Sequence, residues 1–179
     1  GRWTQTEDFK NWPIDPPLSD SGIDAAKDLG HLIKSFAAES TATIHVVITS
    51  PYTRCVRTAA EICAKLGSGA RMIVDLSLGE VFGPDIMGDQ EPACPVRPQT
   101  SVHEICMACG VKCLSKTIGK WPTWPEDLRT ARRRFGDRFL TYLQRSQTAR
   151  RNFVIVTHAD AVGAAASLMP STADQFIGK

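Results

Sequence analysis

At 179 residues the chain is long enough for one domain with a core of ordinary size, and its 42% hydrophobic and 22% charged residues are the composition of a folded globular protein rather than a disordered one. A formal net charge of +2 is too small to argue for nucleic acid or an anionic membrane as a partner, and no apolar run approaches the ~20 residues that span a bilayer. The opening GRWTQTEDFKNWP has no apolar signal-peptide core, and Cys55 and Cys63 read as small apolar residues on a helix, so reduced thiols and a cytoplasmic setting are expected.

In chain order, the segment to about Leu18 is polar and turn-rich. Pro16 and Pro17 hold the backbone extended and keep Asp15 out of the helical region. Ser19 or Asp20 then caps a helix expected to reach about Ala38, with Ile23, Ala26, Gly30, Ile33 and Ala37 as its inward stripe. Residues 44–49 form a β-branched strand. Pro51 is expected at the first position of the next helix, which puts Arg54 in its first turn. That helix faces inward with Tyr52, Val56, Ala59, Cys63 and Leu66 and ends at Gly67. RMIVD, residues 71–75, is a short strand, and the Gly- and Pro-dense stretch after it makes 81–124 a candidate lid or insertion.

A short helix is predicted from about Ser101. A long one follows GKWPTWPEDL, with Pro125 first, Glu126 and Asp127 at its positive end, and Leu128, Ala131, Phe135, Phe139 and Tyr142 buried. Arg129, Arg132, Arg133 and Arg138 are expected elsewhere on its surface; their scatter reads as a solvated face and not a nucleic-acid surface. FVIVT reads as a buried strand delivering His158 to its carboxyl end, before a helix of small residues. The final ADQFIGK shows no closing strand, and the first residue is Gly1 rather than Met. Residues 1–179 therefore read as one domain incomplete at both ends.

Strands alternating with helices argue for an α/β domain, three layers (α/β/α) around a mostly parallel sheet, in which ligands sit at the carboxyl ends of strands. Arg54 and His158 both fall there. A guanidinium at a helix N-terminus suits a phosphate, because free backbone N–H groups and the helix dipole already favour an anion. An isolated arginine or histidine is more often solvated or structural; His31 and His45 are read as structural. HEICMACGVKC offers His103, Cys106, Cys109 and Cys113, with Cys94 nearby, as zinc ligands. The same cysteine spacing is helical, and one buried stripe is the simpler reading.

DPPLSDSG, ITSPYTRCVRTA, LGEVFG and VIVTHADAV stand in the order and at about the spacing that resembles the histidine phosphatase superfamily, with its phosphoglycerate mutase-like fold. Together they span residues 15–162. The resemblance implies that Arg54 holds a phosphoryl group, that Glu80 is the proton donor to the leaving group, and that His158 hydrogen-bonds the phosphoryl oxygens. It implies no metal or organic cofactor, and a phosphorylated small molecule or phosphoprotein as partner. The family's nucleophile is a histidine in an Arg-His-Gly signature on a first strand, lying beside the strands that end at Ser50 and His158. No Arg-His-Gly occurs in these residues, and Ala159 stands where the family usually has glycine.

The expected activity of the intact protein is phosphomonoester hydrolysis through a phosphohistidine, with phosphatase favoured over mutase. Two alternatives stand beside it: a pseudophosphatase that binds phosphorylated ligands or a protein partner without turnover, and a zinc-containing interaction module built on the cysteine cluster.

Overall fold

The computed structural model describes residues 2–114 and 116–169. Three strands, β1 (Ile44–Thr49), β2 (Arg71–Val74) and β3 (Asn152–Val156), form one parallel sheet in the order β2-β1-β3. Helices α1 (Glu7–Asn11) and α2 (Asp20–Glu39) precede β1. Helix α3 (Thr53–Leu66) links β1 to β2. Then come α4 (Pro84–Met87), α5 (Gln99–Ala108) and α6 (Leu128–Ala149), and α7 (Ala159–Ser167) follows β3.

Alternation along the strands assigns the two faces of the sheet. Val47, Met72 and Val74 pack with Val56, Ala59 and Cys63 of α3 and with Val102 and Cys106 of α5. Val46 and Ile48 turn the other way, with Phe153 and Ile155, onto Tyr142 of α6. Helices thus cover both faces of a parallel sheet, which is the three-layer α/β/α arrangement expected. Among the described residues no helix is long and apolar enough to cross a membrane.

Several expectations need correction. Pro51 is not the first residue of α3: Tyr52 is its N-cap, because the chain takes two residues to turn out of the sheet and bury the Tyr52 ring completely. Pro125 likewise lies outside α6, after a cis bond from Trp124, and Asp127 caps that helix by accepting from the Thr130 N–H at 2.6 Å. Arg138 is not a surface residue; it reaches inward to the fully buried Asp75. Cys113 does not continue the helix of Cys106 and Cys109. Gly110, at φ 64°, ends that helix, and Cys113 pairs in extended form beside Met72.

The strand ending before His158 is half-buried rather than buried, because it lies at the edge of the sheet. It also pairs directly with β1, Thr49 opposite Val156, and the Ser50 N–H continues the ladder to the Val156 carbonyl at 2.9 Å. A further strand, which the resemblance implied beside both of them, has no room between them. The segment ADQFIGK lies outside the described residues.

Candidate active site

The parallel ladder brings the carboxyl ends of β1 and β3 side by side, and a cavity of about 340 Å³ opens there. Arg54, Glu80 and His158 line it together with Leu18, Cys55 and Thr157. Each of the three arrives from a different element: Arg54 from the first turn of α3, His158 from the N-cap of α7, and Glu80 from the coil after the 3-10 turn Leu76–Leu78. The sequence-predicted residues are therefore brought together.

They touch. Arg54 Nη2 donates to Glu80 Oε2 at 3.1 Å, and the same carboxylate oxygen lies 3.0 Å from His158 Nδ1. Arg54 Nη1 donates to the Ile14 carbonyl at 3.5 Å, and its Nε–H has no protein partner among the described residues. The other ring nitrogen of His158, Nε2, lies 2.8 Å from the hydroxyl of Ser50, which is fully buried and also accepts from the Tyr52 N–H. Nδ1 lies 3.0 Å from Arg54 Nη2 as well as from Glu80 Oε2, so it donates to the carboxylate in one tautomer and accepts from the guanidinium in the other, and Nε2 takes the complementary role toward Ser50. Nδ1 is the ring nitrogen on the side of Arg54 and Glu80, the two other residues of the cavity.

The charges follow. Burial is the largest influence on His158 and lowers its pKa from the ordinary 6.5; Glu80 pulls the other way, and Arg54 and Arg134 add to the lowering. Burial pushes the Glu80 carboxyl up, but the hydrogen bond and charge of His158, the Val81 N–H and Arg54 outweigh it and hold Glu80 below its usual 4.5. At neutral pH the triad is a guanidinium, a carboxylate and a neutral imidazole. Cys55 Sγ lies 3.9 Å from His158 Nε2, but burial pushes its thiol up to about 12, so it is no thiolate nucleophile.

The sequence reasoning missed three supporting residues. The fully buried Asp15 accepts from the Thr53 N–H and hydroxyl, both at 2.7 Å, and from the Arg97 N–H at 3.2 Å. The first N–H of α3 is therefore already taken by a carboxylate, and Arg54 rather than that amide faces the cavity. Its signal was visible, in a carboxylate held extended before Pro16-Pro17. Ser50 closes a strand, where a buried hydroxyl needs a partner. Arg134 sits inside RTARRRF, where nothing local separates it from its exposed neighbours.

The zinc candidates do not converge. His103 and Cys94 are exposed, the Cys109 thiol donates to Glu61 at 3.7 Å, and Cys106 is in the core. Among the described residues no three His, Cys, Asp or Glu side chains are grouped to hold a metal.

A sequence profile of the histidine phosphatase superfamily (branch 1) matches residues 2–176. The chain belongs to the histidine phosphatase superfamily. Solved structures agree on the fold of this superfamily member. One of those that match is the ecdysone phosphate phosphatase of Bombix mori in complex with tungstate, at 18% identity and a TM-score of 0.66. The match covers 91% of this chain and 61% of that one, so the chain spans about three fifths of that relative's length. No curated protein matches the chain significantly.

Proposed function

We propose that this chain is the phosphoryl-binding part of a phosphomonoester hydrolase that works through a phosphohistidine. The observation that carries the reading is the meeting of Arg54, Glu80 and His158 around one cavity at the carboxyl ends of two paired strands. Arg54, and His158 in its Nδ1–H form, are the donors this reading aims where the charge of a phosphoryl group develops.

In the proposed cycle a histidine nitrogen attacks phosphorus, and the ester oxygen leaves with a proton from Glu80. Water, deprotonated by the Glu80 carboxylate, then attacks phosphorus, breaks the P–N bond and releases phosphate. Glu80 is ionised when only protein groups surround it, so it must first take up a proton. A phosphoryl dianion beside it raises its pKa and favours that uptake. Arg54 offsets the charge and His158 hydrogen-bonds the phosphoryl oxygens, so the scheme calls for no metal or organic cofactor.

The nucleophile is supplied from outside these residues. His31 and His103 are exposed on α2 and α5, and His45 accepts from the Asn152 N–H at 3.2 Å. His158, in the cavity, has both nitrogens engaged. The outer edge of β3 is apolar and half-buried, and a parallel strand added there ends beside His158. A phosphorylated small molecule or phosphoprotein is the proposed substrate, in a cytoplasmic setting, with hydrolysis favoured over transfer. The relative named above supports this reading because tungstate is a tetrahedral oxyanion like phosphate.

The test is to read the source transcript upstream of Gly1 and to quench the full-length protein during turnover of a ³²P-labelled phosphomonoester. An Arg-His-Gly signature and an acid-labile, base-stable phosphoprotein are expected. Phosphate binding with no covalent intermediate makes the protein a pseudophosphatase instead, a second reading favoured by the absence of a free nucleophilic histidine among these residues.

A further inference from the structure

We propose that Arg134, clasped by Glu126, is the positioning residue that holds Glu80 against His158. The inference deepens the phosphatase reading, in which Glu80 is the proton donor, but it is tested on the His158 ring without turnover.

Glu80 needs such a device. It lies in coil between the turn Leu76–Leu78 and α4, where no sheet ladder fixes the backbone. Arg134, projecting from α6, supplies the hydrogen bonds the ladder does not. Its Nη1 donates to the carbonyls of Ser77 at 2.8 Å and Gly79 at 3.1 Å, and its Nη2 to that of Glu80 at 3.4 Å. The guanidinium is held in turn by a fork onto Glu126, Nε to Oε1 at 2.7 Å and Nη2 to Oε2 at 2.6 Å.

Glu126 also grips the far side of Glu80. Its carboxylate accepts from the Phe82 N–H at 3.1 Å, and its own N–H donates to the Phe82 carbonyl at 2.8 Å. The two backbones come so close that a Cβ on Gly83 would lie 2.0 Å from the Glu126 carbonyl oxygen, which is why glycine stands there. The coil is thus fastened at residues 77, 79 and 80 before the catalytic carboxylate and at 82 after it. Planar, multi-directional donation of this kind is open to arginine and closed to lysine.

A buried ion pair is weak evidence for stability, so a readout specific to Glu80 is required. His158 provides it. The charged groups acting on its ring are Glu80, which raises its pKa, and Arg54 and Arg134, which lower it; Ser50 and Cys55 lie at Nε2, and the Tyr52 ring stands edge-on with centroids 5.0 Å apart. If Arg134 acts only as a nearby positive charge, removing it moves the His158 titration up. If Arg134 positions Glu80, removing it withdraws the carboxylate and moves the titration down. The two roles predict opposite signs.

The experiment follows the His158 imidazole by ¹⁵N NMR against pH in the chain and in E80Q, R134M, R134K and the E80Q/R134M double variant. Expected are a downward shift in E80Q, a downward shift of similar size in R134M and R134K, and no further shift in the double variant. An upward or absent shift in folded R134M overturns the proposal. If R134M does not fold, E126Q keeps the arginine charge and loosens the fork, and a downward shift is again expected; an unchanged titration there overturns it. Failure of the phosphatase reading shows instead as loss of the trapped phosphoprotein, with these shifts intact.

Discussion

Two arginine–carboxylate networks stand at the carboxyl end of the sheet and do opposite things. At the end of β2, Asp75 is fully buried and accepts from Arg138 Nε, from the Tyr142 hydroxyl and from the Ser77 N–H, while Arg138 also donates to Tyr142. Burial, with Asp75 beside it, pushes the Tyr142 phenol up and keeps it protonated. That network is closed. At the ends of β1 and β3, Arg54 and Glu80 have side chains 27% and 16% exposed, and the pair faces a cavity with a guanidinium N–H left over. A closed network fixes a shape, whereas one with donors facing open volume is equipped to take a ligand.

Breaking the closed network should give the largest effect. Asp75→Ala leaves the Arg138 guanidinium and the Tyr142 hydroxyl without their acceptor, and a loss of about 3 kcal/mol is expected in urea unfolding, the order seen when one partner of a buried pair is removed. A loss below that of an ordinary surface substitution would mean that the network carries no structural weight. Ser50→Ala tests the open network, because it removes the hydrogen-bond partner of the buried Nε2 of His158. About 1–2 kcal/mol is expected, the cost of leaving a buried polar atom unpaired, along with a change in the His158 ring nitrogen shifts.

The smallest effect lies in the pH dependence. His158 titrates below 6.5 when folded, so on acidification the unfolded chain binds its proton first. Its contribution to stability is complete above pH 6.5 and is lost as the pH falls from there through the lowered folded value. Glu80, held below 4.5, adds a second loss of the same sign in more acid solution. Unfolding curves from pH 8 to pH 4 should show the first decline in the wild type and not in His158→Asn. A stability that rises on acidification through pH 6 would contradict the depressed imidazole.

How far the sequence showed this depends on range. Residues 44–49 and the helix capped by Ser19 follow from local pattern and local capping, and they stand as expected. Arg54 and His158 were legible because a strand end and a helix start place them. Glu80 was singled out only through its motif, since the contacts around it come from Arg134, 54 residues away in sequence. The apolar run before His158 could not tell a central strand from an edge strand, because composition reports burial tendency and not what lies alongside. Arg138 and Arg134 look like Arg132 and Arg133 in sequence, and only the partners on the sheet side separate them. The end of the cysteine helix was readable in principle, from Gly110 as a left-handed stop.

The most direct test of the central claim is calorimetric titration of tungstate and inorganic phosphate into the chain and into Arg54→Ala. The account predicts one site, competition between the two anions, and a roughly 10–100-fold weaker affinity in the variant, the equivalent of about 1.5–3 kcal/mol for charge-assisted hydrogen bonds. Equal affinity in the two proteins would contradict it and move the anion site away from Arg54, Glu80 and His158.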